Sequence, residues 1–285
     1  MTRKSLFYFA LVGLLWGIPY LLMKVAVEDF PPAAVVAGRT LIGASILIPI
    51  AIYRKKFGGA VLGFKYVAFY ALMEMIGPWI LITTAEQKIN SGLAGLLVST
   101  VPIFATIITS LRGDHSVWQF KRILGIVVGF IGLILVVGIE SLSGNSDPLS
   151  IAMVIVASMG YAYAVIMVTT NLPLVDGIAI NGLAMAITTV FWAPVAIAQW
   201  PSSISMNSAL SLIALGIFST ALAFILFFKV MAEIGPARSS LVTYLNTAIA
   251  VLLGVIILRE PLTVGIIVGL PLVLVGSYLA SKKTA

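Results

Sequence analysis

The sequence predicts an all-α membrane protein, with ten transmembrane helices arranged as two inverted repeats of five. Three observations carry that reading. Hydrophobic residues make up 61% of the 285 positions and charged residues 9%, where a soluble domain carries about 25% charge. Residues 177–228 contain no Asp, Glu, Lys, Arg or His, a stretch too long for a single helix buried in a soluble core. Glycine landmarks of the first half return in the second.

A helix needs about 20 apolar residues to cross the hydrocarbon layer. Ten runs approach that length: Leu6–Met23, Ala33–Tyr53, Tyr66–Ala85, Ile89–Leu111, Ile123–Ile139, Leu149–Thr170, Ile178–Gln199, Ala209–Phe228, Ser239–Leu258 and Leu262–Ser281. The first follows Arg3-Lys4 and has the look of a signal peptide. Its length, the lack of a small-x-small cleavage site and the many later runs argue for a retained helix. Trp200–Ser208 joins the two crossings of the charge-free stretch. Pro19, Pro49, Pro78, Pro102 and Pro194 fall inside crossings, which membrane helices tolerate when neighbours satisfy the freed carbonyls.

Lys and Arg placement sets the orientation. With the N-terminus inside, the cytoplasmic side collects Arg3, Lys4, Arg54, Lys55, Lys56, Lys65, Arg112, Lys121, Arg122, Lys229, Arg238, Lys282 and Lys283. The outer side keeps Lys24, Lys88 and Arg259. Both termini are therefore expected in the cytoplasm. The net charge of +7 is then a topology signal, and nucleic acid is not an expected partner.

Gly125 and Gly132 recur as Gly269 and Gly276, and in the same register Gly92 faces Pro236. Trp16-Gly17 faces Met159-Gly160 at nearly the same offset, close to half the chain. The expected units are residues 1–140 and 148–285. Each holds an odd number of crossings, so the second must be inserted upside down. Inverted repeats of this kind are a signature of carriers that alternate access around a midplane site.

With Trp16-Gly17, Lys24, Pro31-Pro32 and Arg39 in this order, the first half resembles the EamA branch of the drug/metabolite transporter superfamily. Gly235-Pro236-Ala237, Arg259-Glu260-Pro261-Leu262-Thr263 and Gly269 with Gly276 extend the resemblance over essentially the whole chain. It implies the EamA fold of two inverted five-helix repeats, a bacterial inner-membrane location and export of small metabolites. More narrowly the chain resembles the ten-helix amino-acid exporters, including the aromatic type. It departs from the family pattern at Asp114-His115-Ser116, where many members place an acidic residue, and at Asn246-Thr247, where a proline is common.

Charges inside the membrane are costly and face a cavity or a partner. Arg39 lies about 9 Å into the second crossing and Glu74 about 12 Å into the third, at 1.5 Å per residue. Three roles compete for Glu74: a strut paired with Arg39, a holder of a proton or substrate amine, or a protonated, packed side chain. Arg39 either binds a substrate carboxylate or fixes helices. Aromatic and polar residues near mid-membrane complete the candidate substrate site: Trp16, Tyr20, Trp79, Thr83, Ser99, Tyr161, Tyr163, Tyr244 and Asn246. Interfacial belts put Trp and Tyr at helix ends, and Trp16, Trp79, Tyr161, Tyr163 and Tyr244 are not there. For each residue, lateral packing with the hydroxyl on a nearby carbonyl is the competing reading. The spacings Gly125-x-x-x-Gly129 and Gly265-x-x-x-Gly269 allow close helix approach, docking these helices on their own bundle rather than in a dimer; a monomer is expected.

Catalysis finds little support. Cysteine is absent, which excludes disulfides, thiolate metal sites and Cys nucleophiles. The single histidine, His115, falls in a cytoplasmic loop, and no phosphate-cradling or metal-binding motif appears. No cofactor is expected. Energy would come from the substrate gradient or a coupled proton, with Glu74 the central carboxylate available. The runner-up is efflux of drugs or other amphipathic metabolites. An intramembrane enzyme would need an acid/base cluster that the sequence lacks, and a non-transporting sensor would show no substrate flux.

Overall fold

In a computed structural model of the chain, residues 3–113, 119–142, 147–234, 239 and 242–281 are described. The Gly235-Pro236-Ala237 and Asp114-His115-Ser116 motifs lie outside them. Among the described residues ten long helical runs follow one another: α1 Arg3–Ala26, α2 Pro32–Tyr53, α3 Phe64–Ala85, α4 Ser91–Leu111, α5 Phe120–Leu142, α6 Pro148–Asn171, α7 Gly177–Ala198, α8 Met206–Ile234, α9 Val242–Ile256 and α10 Val264–Ser281. A short helix, Phe57–Leu62, sits between α2 and α3. Seven of the ten are long and apolar enough to cross a membrane by length and composition; α5, α9 and α10 complete an all-α membrane fold. The ten runs expected from the sequence are the ten helices, with ends moved by a few residues.

Local chemistry sets those ends. Proline opens α2 and α6, where a missing N–H costs nothing. The Asp147 carboxylate accepts from Ser150 N at 3.0 Å, Asp176 from the amides of Ile178 and Ala179, and Ser205 Oγ from Ser208 N. Each satisfies donors that the first helical turn leaves free.

Packing follows an approximate two-fold relation. The most extensive contacts are α5 with α10 and α2 with α7, each joining equivalent helices of the two halves. The contact of α1 with α9 has its counterpart in α4 with α6, and that of α3 with α6 in α1 with α8. At the α5–α10 crossing, Gly276 lies so close to Gly129 and the Gly125 carbonyl that a Cβ there would collide with backbone. Gly265 and Gly269 lie on the same buried stripe of α10. The small residues thus join α5 to α10 within one chain.

Two ends of the bundle gather charged and polar side chains. Lys24, Asp29, Glu86, Lys88, Asp147, Ser205 and Glu260 gather at one, tied by Asp29–Ser205, Lys88–Asp147 and Glu260–Ser91. Ser5 and Glu233 meet at the other, with Ser5 Oγ donating to Glu233 Oε2 at 2.6 Å.

Three helices are irregular. Leu72–Ile76 in α3 and Leu215–Leu222 in α8 are π-helical. Leu72 and Leu215 are separated by the offset that relates Trp16-Gly17 to Met159-Gly160, so the two π segments occupy equivalent positions in the halves. Helix α4 breaks at Ser99-Thr100, just before Pro102. The carbonyls freed by these breaks find partners in other helices: Trp192 Nε1 donates to Ile76 O at 3.1 Å, and Ser277 Oγ to Ser99 O at 2.8 Å.

Candidate functional site

The site forms where α1, α2, α3, α6 and α8 converge. Tyr20 and Lys24 are four residues apart on α1, and Trp79, Thr83 and Glu86 follow helical spacing along α3, so each set shares a face. Arg39 comes from α2, Tyr161 from α6 and Thr220 from the π segment of α8. The guanidinium of Arg39 stacks on the Trp79 ring, 3.8 Å from its centroid. Its Nε and Nη2 donate to Thr220 Oγ1 at 3.3 and 3.1 Å, and Nη1 to Met23 Sδ at 3.5 Å. Thr83 Oγ1 donates to the same sulfur at 3.5 Å. Tyr161 lies against Trp79 and within electrostatic reach of Glu74, Tyr20 and Arg39.

Arg39 is only 5% exposed, yet its partners are a hydroxyl, a weakly accepting thioether and a ring face. The single ion pair among the described residues is Lys88–Asp147 at 3.8 Å, away from Arg39. A buried cation without a counter-ion costs several kcal/mol. Stacking on Trp79 returns about 2 kcal/mol of that. The arrangement holds a planar guanidinium whose donors rest on neutral groups that an anion could replace.

Glu74 does not take that place. It is half-buried in the π segment of α3, and its Oε2 is enclosed without a hydrogen-bond partner. Of the three roles weighed for Glu74, the strut paired with Arg39 is not formed. Ser219 Oγ, in the π segment of α8, is likewise enclosed and unpartnered. Each π segment thus presents one unsatisfied polar atom, and π segments are frequent at functional sites. Close by, Tyr70 OH donates to Asn181 Oδ1 at 3.1 Å.

Of the residues singled out from sequence, Tyr20, Arg39, Trp79, Thr83 and Tyr161 gather here, with Glu74 beside them. Trp16 is one turn below Tyr20, its ring 5.6 Å from Phe224 and 4.6 Å from Phe227 of α8. Tyr163 is a correction. Residues two apart point to nearly opposite sides of a helix, so with Tyr161 facing inward Tyr163 faces out. It is 36% exposed and packs against the exposed Phe69 ring. Tyr244 meets Tyr278 of α10 edge-on. Asn246 Oδ1 accepts from the neighbouring Thr247 hydroxyl. Ser99 Oγ donates to Leu96 O, in its own helix. None of these last three contacts belongs to the Arg39 cluster.

Sequence reasoning missed Glu86, took Lys24 only as an outer-side charge and Glu260 only as part of a motif. Glu86 stands one residue beyond α3, is fully buried, and neither of its carboxyl oxygens has a hydrogen-bond partner. Burial pushes its carboxyl well above the usual carboxylate range, Lys24 draws it back, Glu260 adds to the rise and Arg39 opposes it. Lys24 Nζ donates to the carbonyls of Glu86 and Ile89 at 2.6 and 2.9 Å, capping the C-terminal end of α3. A cavity of about 240 Å³ adjoins them, lined by Lys24, Val27, Glu28, Glu86 and Gln87. The four-residue spacing of Tyr20 and Lys24 was the available signal.

Glu260 acts across the halves. Its carboxylate accepts from Ser91 N and Ser91 Oγ, both at 2.8 Å, and from Gly92 N at 3.3 Å, so it caps α4 from the turn between α9 and α10. Arg259 takes a left-handed conformation (φ 55°), and Glu260 N reaches back to Gly254 O at 3.0 Å, folding the turn onto the end of α9.

A bundle of membrane helices that converges on an enclosed cation, aromatic rings and unsatisfied polar atoms has the build of a carrier. The chain belongs to the EamA-like transporter family, whose model matches residues 3–138 and again 148–282. It is therefore a membrane transporter and not an enzyme. It is 27% identical over 277 residues to the uncharacterized transporter YoaV of Bacillus subtilis (strain 168), covering 94% of this chain and 93% of that protein. It is 26% identical over 281 residues to the uncharacterized inner membrane transporter YedA of Escherichia coli (strain K12), covering 95% and 90%. A protein of known crystal structure superposes over 98% of both chains with a TM-score of 0.66 at 16% identity, a likeness of fold.

Proposed function

We propose that the protein exports amino acids, aromatic ones foremost, across a bacterial inner membrane by alternating access, with residues 1–140 and 148–285 as the moving units. The observation that carries this reading is Arg39: a buried guanidinium stacked on Trp79, with no carboxylate bonded to it among the described residues. Its fork matches a substrate carboxylate. Trp79, Tyr20 and Tyr161 supply faces and edges for a ring, and Glu74 lies beside Tyr161 to take the ammonium group. Both termini are cytoplasmic in this reading, so the Glu86 end faces outward; the inner-membrane location is suggested by the likeness to YedA, an inner membrane transporter.

The test is counterflow in proteoliposomes preloaded with phenylalanine, using a panel of external amino acids and amphipathic cations, with and without a pH gradient. Exchange with phenylalanine above serine supports the reading, and a preference for the cations would point to drug efflux instead. Glu74→Gln separates two roles. Loss of exchange marks the ammonium site, whereas retained exchange without response to a pH gradient marks a coupling proton.

A further inference from the structure

We infer that Glu86 is a proton-binding site that latches the turn between α3 and α4, with Lys24 as the moving counter-ion. The geometry is that of a switch with one arm set. Both Glu86 carboxyl oxygens are enclosed and unbonded, while Lys24 Nζ rests on the carbonyls of Glu86 and Ile89. An ionised carboxylate enclosed without a donor is strongly disfavoured, so this arrangement belongs to the neutral acid. The cavity beside Lys24, Glu86 and Gln87 connects the pair to water.

The groups that face Glu86 are known from each neighbouring element. Tyr20 and Lys24 come from α1, Glu28 from the turn after it, Arg39 from α2 and Glu260 from the turn between α9 and α10. Lys24 is the cation already bonded to the Glu86 backbone. Arg39 is engaged by Thr220 and Trp79, and Glu260 by Ser91 and Gly92. When Glu86 gives its proton to water in the cavity, the carboxylate accepts from Lys24 Nζ. The N–H groups of that ammonium then leave the carbonyls of Glu86 and Ile89. The α3 end loses its cap, and the turn from Glu86 to Asn90 is freed between two anchors, α3 in the first half and Glu260 in the second.

The experiment needs no substrate and uses the absence of native cysteine. Ile89 is 1% exposed in the latched turn. Ile89→Cys and, as an exposed reference, Lys88→Cys are made separately in the full chain, placed in lipid nanodiscs and labelled with a maleimide over a range of pH. The ratio of the two rates removes the intrinsic pH dependence of the thiol. We expect the ratio to rise with pH, by up to about tenfold per unit while the acid is mostly protonated, and to level off above that. Adding Glu86→Gln should hold the ratio at its low-pH value, Glu86→Asp should keep a rise, and Lys24→Met should leave the turn open at every pH. A flat ratio in the otherwise native chain overturns the proposal, whether or not the variants fold. So does a rise that persists in Glu86→Gln or in Lys24→Met.

Discussion

Arg39 is a fixed cation in a place where fixed cations are expensive, and the side chains around it show why lysine would not serve. A guanidinium is planar, stacks on an indole and still offers paired N–H groups, whereas an ammonium is a strongly hydrated point charge. Arg39→Lys keeps the charge but loses the stack on Trp79 and the double donation to Thr220. If amino acids are the substrates, as proposed, it should weaken their affinity about tenfold or more, near 1.4 kcal/mol per decade, measured by tryptophan quenching or counterflow. Tyr161→Ala should erode the preference for aromatic substrates, while Tyr163→Leu, on the outer face beside Phe69, should leave it intact. Equal effects of the two would contradict the inward and outward assignments.

Asp147 illustrates a surface residue with a different pH signature. Hydrogen bonds from Ser150, side chain first and then backbone, hold its carboxyl below the usual carboxylate range, with Lys88 assisting. A lowered value in the folded state means that the α6 cap is fully present above the ordinary carboxylate range. It is lost only as pH falls through the lowered value. The α6 start should therefore keep its amide protection in hydrogen exchange through mildly acidic pH, and Asp147→Ala should lose it throughout; fraying of the native chain already near neutral pH would contradict this.

At the scale of elements, the ten crossings were legible because apolar runs of the right length are hard to disguise. Irregularity inside them was not. Pro78 and Pro102 lie at the irregular stretches of α3 and α4, but Pro19, Pro49 and Pro194 sit in continuous helices, and nothing in Leu215–Leu222 announces a π segment. Only its position opposite Leu72–Ile76 gives it sense. The site was legible in its large residues, Arg39 and Trp79. It was not legible in Met23, which becomes a partner only through packing, or in Glu86, whose burial depends on the turn that follows α3.

Two helix contacts offer tests. Gly160 faces the Met73 carbonyl, 2.8 Å from where a Cβ would stand, and Pro78 Cγ at 3.0 Å, so α6 rests directly on the π segment of α3. Gly160→Leu should push the two apart and reduce transport more than expression. Glu260→Gln replaces a carboxylate cap of α4 with a neutral one and should lower stability in detergent by about 1 kcal/mol, read as a drop in melting temperature. No change would mean that the link from the α9–α10 turn to α4 is energetically idle.

For the whole molecule, the lack of cysteine makes topology directly measurable. Lys88→Cys should react with an impermeant maleimide in intact cells, and Lys56→Cys only after the membrane is breached; the reverse would invert the assignment of both ends. The packing of α5 on α10 through Gly129 and Gly276 uses the small-residue faces inside one chain, so these glycines give no reason to expect a dimer. The two halves meet at the Arg39 cluster, where Thr220 of the second half supports a cation of the first.

The most direct measurement is competition against phenylalanine exchange in proteoliposomes by two close analogues, phenethylamine, which lacks the carboxylate, and phenylpropionate, which lacks the ammonium. If Arg39 is the anchor, phenylpropionate should compete measurably and phenethylamine at least tenfold more weakly, near 1.4 kcal/mol, and that difference should vanish in Arg39→Lys. Phenethylamine competing as well as phenylalanine would contradict the assignment of Arg39 as the carboxylate site and, with it, the proposed substrate class.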